Sequence, residues 1–180
     1  ALSATKDVQD AILNDTQRAK LVDIIDIRYW HYKVDGLYAP EGGKNLAPRQ
    51  HARKMKVGKV TFDEAYRAVS EYRKKFPEKA VTYYAQNYPD MAWAVFMASG
   101  SCPVVPVADE SFLTDAAAMD MEDTGTNKYQ KLVKSGIGSI IYSHSATDIP
   151  VHLSPGKYIL KSVDPKTGAI TVIAKRLNIK

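Results

Sequence analysis

The stretch LVDIIDI at residues 21–27 decides the fold class of this 180-residue chain. Five of its seven residues are aliphatic and two aspartates interrupt them, a pattern typical of a buried strand. Upstream, residues 5–20 predict a helix that Thr5 or Ser3 can cap, with Asp7 in its first turn. Its predicted apolar stripe consists of Val8, Ala11, Ile12 and Ala19. A helix followed directly by a buried strand indicates an α/β unit.

A second unit of the same kind follows. Thr61 and Glu64 have capping-box spacing and predict a helix over residues 62–76, which Pro77 ends. The sequence KAVTYYA at 79–85 predicts a second strand, and residues 91–99 predict a short apolar helix. Alternation of helices and strands is typical of a parallel sheet, whose strands need neighbours and covered faces. We therefore expect residues 1–108 to be the closing βα units of a (β/α)8-type barrel.

The C-terminal part has a different pattern. Residues 109–136 predict a helical linker, with helices at 109–121 and 127–134. Residues 137–180 predict an antiparallel β module with strands at 139–143, 158–163 and 169–174. The sequence DPKTG at 164–168 joins the last two strands and predicts a hairpin turn.

Composition excludes several classes of protein. The chain is 45% hydrophobic and 25% charged, which is typical of a globular protein with a core and not of a disordered one. Cys102 is the only cysteine, so an internal disulfide and a multi-thiolate zinc site are excluded, and we expect its thiol in the core. No apolar run approaches the roughly 18 residues of a membrane span. The first residue is Ala1, from which we expect a removed leader or a longer parent chain whose N-terminal part packs against this one.

Residues 28–60 predict a long irregular loop, because glycines and prolines recur through them. A loop of this length within a compact domain is usually functional. Between Lys44 and Lys59 it carries basic side chains and no acidic one, at Lys44, Arg49, Arg53, Lys54, Lys56 and Lys59. Such a stripe attracts phosphates, sulfates or carboxylates, although a solvated basic face is the favoured interpretation.

Working groups of α/β folds lie at the carboxyl ends of the strands. Here both strand ends combine aromatic rings with hydrogen-bonding side chains, the combination that binds the C–H faces and hydroxyls of sugars. The predicted substrate-binding residues are Arg28, Tyr29, Trp30, His31, Arg49, His51, Arg53, Tyr84, Gln86 and Asn87. Within the loop, Arg49 and Arg53 can hold a carboxylate or sulfate bidentately. Core packing is an equally good interpretation of each aromatic ring after the first strand.

Glycoside hydrolysis needs two carboxylates about 5–9.5 Å apart. The candidates are Asp26, Asp35, Glu41 and Asp90, of which we predict Glu41 and Asp26 as catalytic. The basic residues near Glu41 favour its ionised form. His31 and His51 lack the spacing of a metal motif, and no serine-hydrolase elbow or phosphate-binding glycine loop is present. We therefore predict neither a metal nor a cofactor.

Three blocks resemble a known group of proteins. DVQDAILND at 7–15, IDIRYW at 25–30 and APEGGKNLAPRQH at 39–51 are similar to large secreted or surface glycoside hydrolases of Bacteroidetes. These are related to apiosidase-like (β/α)8 enzymes with a C-terminal, collagen-binding-like β-sandwich. The resemblance covers residues 5–175 and implies a periplasmic, cell-surface or secreted protein that binds and cleaves polysaccharide. Related barrel enzymes place a glutamate after the seventh strand, whereas IDIR at 25–28 holds none.

Two other functions stay open. The same aromatic residues would serve a non-catalytic carbohydrate-binding or scaffold module. A nucleic-acid binder is a weaker hypothesis, because the basic stripe is not interleaved with aromatics and no known module pattern fits. We therefore predict a polysaccharide or oligosaccharide as partner and no nucleic acid.

Overall fold

The computed structural model describes residues 1–38, 60–84, 89–143 and 148–179. The chain divides into two compact units, Ala1–Val104 and Val105–Lys180. The first contains α1 (Lys6–Asn14), α2 (Thr16–Ala19), β1 (Ile24–Ile27), β2 (His31–Lys33), β3 (Gly36–Tyr38), α3 (Phe62–Lys75), β4 (Ala80–Tyr83) and α4 (Pro89–Met97). The second contains α5 (Glu110–Ala117), β5 (Asp120–Glu122), β6 (Tyr129–Lys134), β7 (Gly138–Ser143), β8 (Gly156–Val163) and β9 (Ile170–Ile179).

The parallel arrangement predicted for the two buried strands is confirmed. β1 pairs with β4 in parallel, with Asp26 opposite Thr82. On the other side of β1, Leu2 forms a parallel bridge: its N–H donates to Ile24 at 2.7 Å, and its carbonyl accepts from the N–H of Asp26 at 3.0 Å. The mixture of helices and small sheets agrees with the α/β class.

The outer edge of β4 is covered by one residue instead of a strand. The Ser101 N–H donates to the Val81 carbonyl at 2.7 Å, and the Ser101 hydroxyl accepts from the Val81 N–H at 3.1 Å. The preceding Gly100 packs so closely that an added Cβ would lie 2.6 Å from Val95 and 2.9 Å from Val69. Cys102, expected in the core, is instead exposed. This prediction was wrong because the chain leaves the apolar interior directly after α4.

The first helix differs from its prediction in two ways. It is broken at Asp15, whose carboxylate caps α2 by accepting from the N–H groups of Gln17 and Arg18 at 2.9 and 3.0 Å. The predicted apolar stripe was also wrong, because Val8 is 43% exposed. The buried residues of α1 are Lys6, Gln9 and Leu13. A mainly polar face is therefore directed inward, and its partners are described with the site below.

The second helix follows its sequence signals. The Glu64 carboxylate accepts from the Thr61 N–H at 2.8 Å, and the Thr61 hydroxyl accepts from the Glu64 N–H at 3.3 Å. This reciprocal pair confirms the capping box and begins α3 at Phe62. Its buried face carries Ala65, Ala68, Val69 and Tyr72 at helical spacing.

The first part of the predicted irregular loop forms two short β-strands. β2 and β3 form an antiparallel hairpin, in which His31 lies opposite Tyr38 and Lys33 opposite Gly36. Gly36 has a φ of 141°, a value that side chains rarely tolerate. β2 packs against α3 and buries His31 and Tyr32. The loop prediction was wrong here, because tertiary packing stabilises strands too short to be recognised by periodicity.

The second unit contains an antiparallel sheet of order β5-β6-β7. The helix predicted at 127–134 was wrong, since β6 occupies this segment. Alternate residues of β6, Gln130 and Leu132, are buried, which is the period of a strand and not of a helix. Upstream, Asp109 caps α5 by accepting from the Phe112 N–H at 2.9 Å.

The predicted C-terminal hairpin is confirmed. β8 and β9 pair in antiparallel orientation, and the turn is closed by a bond from the Gly168 N–H to the Asp164 carbonyl at 2.8 Å. Gly168 has a φ of 72°, and an added Cβ would lie 2.1 Å from the Pro106 carbonyl oxygen. Only glycine fits there. Across the described helices of both units, none combines the length and apolar character needed to cross a membrane.

Candidate functional site at the carboxyl end of the parallel strands

Asp26 lies near the carboxyl end of β1 and is buried. One carboxylate oxygen accepts from the Thr82 hydroxyl on β4 at 3.0 Å. The other accepts from the Ser3 hydroxyl and lies 2.8 Å from Nε of Arg28. A carboxylate has about four acceptor positions, so these three partners leave little capacity for another ligand. They fix the orientation of Asp26, and Asp26 in turn fixes Arg28.

Arg28 is the most accessible of these charged groups. Its side chain is 43% exposed, and its Cζ lies 5.3 Å from the ring centroid of Tyr84, which directly follows β4. The contact with Asp26 is an ion pair and not a well-aligned hydrogen bond, because the buried Nε of Arg28 has no hydrogen-bond partner among the described residues. The guanidinium is therefore held near Asp26 by charge and supported by a ring, and its exposed part can present donor nitrogens to an anion.

Two buried polar side chains, those of His31 and Tyr83, lie near this strand end. His31 and Tyr83 are both buried, and the Glu64 carboxylate is close enough to influence each electrostatically. Burial lowers the pKa of His31 below its ordinary value of 6.5; Glu64 opposes this shift and Lys33 adds to it. Burial, together with Glu64, raises the pKa of the Tyr83 hydroxyl. Both side chains are therefore neutral at pH 7.

The lowered pKa of His31 predicts that acid destabilises the first unit. Below the ordinary pKa of 6.5, the unfolded imidazole takes up a proton that the folded one binds only at lower pH. The free energy of unfolding is therefore expected to fall between about pH 7.5 and about pH 5.5. We expect His31→Gln to reduce this slope in urea titrations, and His152→Gln, at an exposed position, to preserve it. Equal slopes for wild type and His31→Gln would refute the assignment.

Trp30 is placed in the core of the first unit. It is fully buried, and its indole N–H donates to the Gln9 side-chain oxygen at 2.6 Å. The amide of Gln9 donates to the carbonyls of Leu2 and Asp26, each at 2.9 Å. The indole also meets Tyr72 edge-on at 5.9 Å. In this arrangement the ring offers no face to a ligand, and the packing interpretation applies to it.

A charged network joins α1 to α3 and β2. Lys6 donates to Asp10 at 2.7 Å and to Glu71 at 2.8 Å. The other oxygens of these carboxylates accept from tyrosines: Tyr72 donates to Asp10 at 2.9 Å, and Tyr32 donates to Glu71. The ammonium group also lies 5.1 Å from the Tyr72 ring centroid. We call Lys6, Gln9, Asp10, Trp30, Tyr32, Glu71 and Tyr72 the α1 network.

The network shifts the titration of its members. Burial alone would lower the pKa of Lys6, but the hydrogen bonds with Asp10 and Glu71 outweigh it and the pKa is raised above 10.5. Burial and the bond to Glu71 raise the pKa of Tyr32 to about 12. Sequence reasoning missed this network. The available signal was the spacing of Lys6, Gln9 and Asp10, which places them on neighbouring positions of one helix face.

The structure brings three of the predicted site residues together: Asp26, Arg28 and Tyr84. It places Trp30 and His31 in buried positions, and Tyr29 is half-buried. The remaining candidates lie outside the described residues, namely Glu41, Arg49, His51, Arg53, Gln86 and Asn87. In the part of the chain that the structure describes, no three His, Cys, Asp or Glu side chains group in a way that would hold a metal ion.

Comparison with known proteins identifies a family. The model of a domain of unknown function, DUF6298, matches residues 1–119 of the 180. No curated protein and no solved structure matches the chain. The matched range contains the whole first unit and therefore every described residue of the strand-end site. The chain belongs to the DUF6298 family.

Proposed function

We propose that this chain is the carbohydrate-binding part of a glycoside hydrolase-like protein that binds and cleaves polysaccharide with acidic groups. The observation that carries the proposal is the position of Arg28, which is paired with Asp26, lies beside the Tyr84 ring and leaves 43% of its side chain exposed. A guanidinium prepared in this way binds a carboxylate or sulfate with little loss of side-chain entropy.

Aromatic side chains next to Arg28 favour a sugar over a simple anion. Tyr84 is partly exposed beside the guanidinium, and Tyr29 follows Arg28 directly in a half-buried position. A pyranose ring presents apolar C–H groups that pack against such rings, while its acidic substituent pairs with the guanidinium. The uncharged Thr82 and Ser3 orient Asp26 without adding a competing charge.

The proposal extends to architecture and location. The parallel pairing of β1 with β4, and the position of the candidate site at their carboxyl ends, support an assignment of the first unit to the closing units of a (β/α)8-type barrel. The antiparallel strands of the second unit would then belong to the β-sandwich module. Such a protein would be periplasmic, cell-surface or secreted, and the other barrel units would come from its own parent chain.

The second candidate function is a carbohydrate-binding module without hydrolysis. The observation in its favour is that Asp26 already has three partners, Ser3, Thr82 and Arg28. A carboxylate engaged in this way positions Arg28 better than it attacks a sugar. Under the hydrolase proposal, Glu41 supplies one catalytic carboxylate and Asp26 either contributes the second or orients the substrate through Arg28.

Replacing Arg28 with methionine tests the binding site. We expect Arg28→Met to weaken binding of polygalacturonate about 10- to 100-fold, because it removes a charge-assisted hydrogen bond of about 1.5–3 kcal/mol. Isothermal titration calorimetry would measure the loss, with neutral galactan as the comparison ligand. Arg18→Met is the matched control, since Arg18 is exposed on α2 and pairs with Asp15 away from the strand end. Unchanged affinity with intact circular dichroism would contradict the proposal.

A separate experiment distinguishes cleavage from binding. In the full-length parent protein, Glu41→Gln and Asp26→Asn are assayed for release of reducing sugar and for retention on a polyuronate gel. Loss of release with retained binding supports the hydrolase. Binding without release in the wild-type protein, over a panel of acidic glycans, supports the non-catalytic module.

A further inference from the structure

The C-terminal ribbon, formed by β8 and β9, is unusually exposed for its composition. Ile159 is 63% and Leu160 48% exposed, and neighbouring residues on a strand point to opposite faces, so both faces of the ribbon meet solvent. On β9, Val172, Ile173 and Leu177 are exposed as well. A two-stranded ribbon is marginally stable in water, so aliphatic side chains on both of its faces indicate a surface that is covered in use.

The two edges of the ribbon are not equivalent. Between the pairs Tyr158–Leu177 and Leu160–Ala174, two residues of β8 span three of β9. Between Leu160–Ala174 and Lys161–Val172, one residue of β8 spans two of β9. The extra residues bulge β9, a distortion that protects an edge strand from pairing. β8 has no such interruption over Gly156–Val163, and among the described strands only β9 pairs with it.

The charge of the ribbon is of one sign. Its strands contain Lys157, Lys161, Lys175 and Arg176 and no acidic residue. Lys161 lies near Asp109 and helps to lower the pKa of that carboxyl, after its hydrogen bonds to Ser111 and Phe112. Within the described chain the other three cations have no ion pair, and the register of the strands places them in the half of the ribbon farther from the turn. We call Lys157, Lys175 and Arg176 the basic end.

These features limit what can cover the ribbon. A second copy would pair β8, whose only charged residues are Lys157 and Lys161, with a strand of the same charge, which like-charge repulsion opposes. A lipid surface attracts the cations but leaves the N–H and C=O groups of an open strand unpaired. Glycans and nucleic acids bind through aromatic stacking and hydroxyl or phosphate contacts, whereas the exposed side chains here are mainly aliphatic. An extended protein segment with acidic side chains satisfies the open edge, the aliphatic faces and the charge together.

We propose that the outer edge of β8 is a docking site for an acidic β-strand of another protein domain. The added strand would hydrogen-bond along Gly156–Val163, cover Ile159 or Leu160 with its own β-branched side chains, and place carboxylates beside the basic end. This function is independent of the glycan site, because it uses only the second unit.

The test uses the full chain and three synthetic ten-residue peptides. The first alternates glutamate with valine and threonine, the second has lysine in place of glutamate, and the third has the first composition with two prolines that prevent strand pairing. We expect fluorescence anisotropy to detect binding of the first peptide alone, weakened by NaCl. Hydrogen exchange should show protection of β8 amides when that peptide is bound. Anionic lipid vesicles and polygalacturonate serve as competing ligands.

Variants locate the contact. The triple variant Lys157→Glu, Lys175→Glu and Arg176→Glu is expected to bind the acidic peptide at least about tenfold more weakly. Lys166→Glu, a single charge reversal in the turn at the opposite end, is expected to bind like wild type. The proposal would be overturned by equal binding of the acidic and proline-containing peptides, or by hydrogen-exchange protection confined to β9. Vesicles that bind through the basic end without displacing the acidic peptide would also overturn it. Absence of binding by all three peptides would overturn it as well.

Discussion

Replacing Trp30 with alanine is expected to lower the free energy of unfolding by about 3–5 kcal/mol, the usual cost of removing a large buried aromatic side chain. The indole is fully buried, packs edge-on against Tyr32 and Tyr72, and donates to Gln9. Its removal leaves a cavity and takes the 2.6 Å hydrogen bond from the Gln9 oxygen, which keeps only a 3.5 Å bond from the Tyr72 hydroxyl. Urea unfolding followed by circular dichroism and by the fluorescence of Trp93, the remaining tryptophan, would measure the change.

Two further variants serve as comparisons: one separates packing from hydrogen bonding at Trp30, and the other replaces an exposed residue. Trp30→Phe keeps a ring but loses the N–H donor, so we expect an intermediate loss of about 1–3 kcal/mol. Leu21→Ala removes a side chain that is 83% exposed and is expected to change stability by less than about 0.5 kcal/mol. If Trp30→Ala unfolded at the same urea concentration as Leu21→Ala, Trp30 would not be a core residue.

Replacing Lys6 with methionine is expected to have the second-largest effect. Methionine fills a similar volume but leaves Asp10 and Glu71 without their shared cation. Because both carboxylates are partly exposed, we expect a loss of about 2–3 kcal/mol, below the roughly 3–5 kcal/mol of a fully buried pair. The measurement is urea unfolding at pH 7.

The pH dependence gives this variant a distinctive signature. The raised pKa of Lys6 means that its contribution is fully present below pH 10.5 and is lost as pH rises through the higher folded value. The difference in unfolding free energy between wild type and Lys6→Met should therefore shrink in strongly alkaline solution. Arg18→Met, which breaks an exposed pair, is expected to cost less than about 1 kcal/mol at any pH. A Lys6→Met protein as stable as Arg18→Met would show that the α1 network is not a stabilising element.

The α1 network also supports the proposed glycan site. Gln9 donates to the main-chain carbonyl of Asp26, and Asp26 holds Arg28 through its carboxylate. The segment that presents Arg28 is therefore anchored on one side by a buried hydrogen bond and on the other by the pairing of β1 with β4. Site residues supported by rigid elements bind with less entropic cost than residues on a free loop.

Local sequence signals were sufficient to predict the helices, strands and turns that are stabilised by interactions between nearby residues. The capping box of Thr61 and Glu64 begins α3, and the aliphatic runs around Ile25 and Val81 become paired parallel strands. The turn at 164–168 closes the hairpin that its residues predict. In each case the stabilising interactions join residues close in the chain, or the element is marked by a continuous apolar run. The sequence pattern therefore predicts these elements directly.

Only the tertiary structure decided which polar residues are buried and which of the predicted site residues meet. Gln9 satisfies Trp30, Leu2 and Asp26 at once, and such long-range pairing reverses the face of α1 that its apolar residues had predicted. β6 is a strand because two neighbouring strands supply its hydrogen bonds. The sequence by itself determined the α/β class and predicted a working surface at the ends of the parallel strands. Tertiary contacts determined that Asp26, Arg28 and Tyr84 lie together there and that Trp30 is buried, because burial depends on partners remote in the chain.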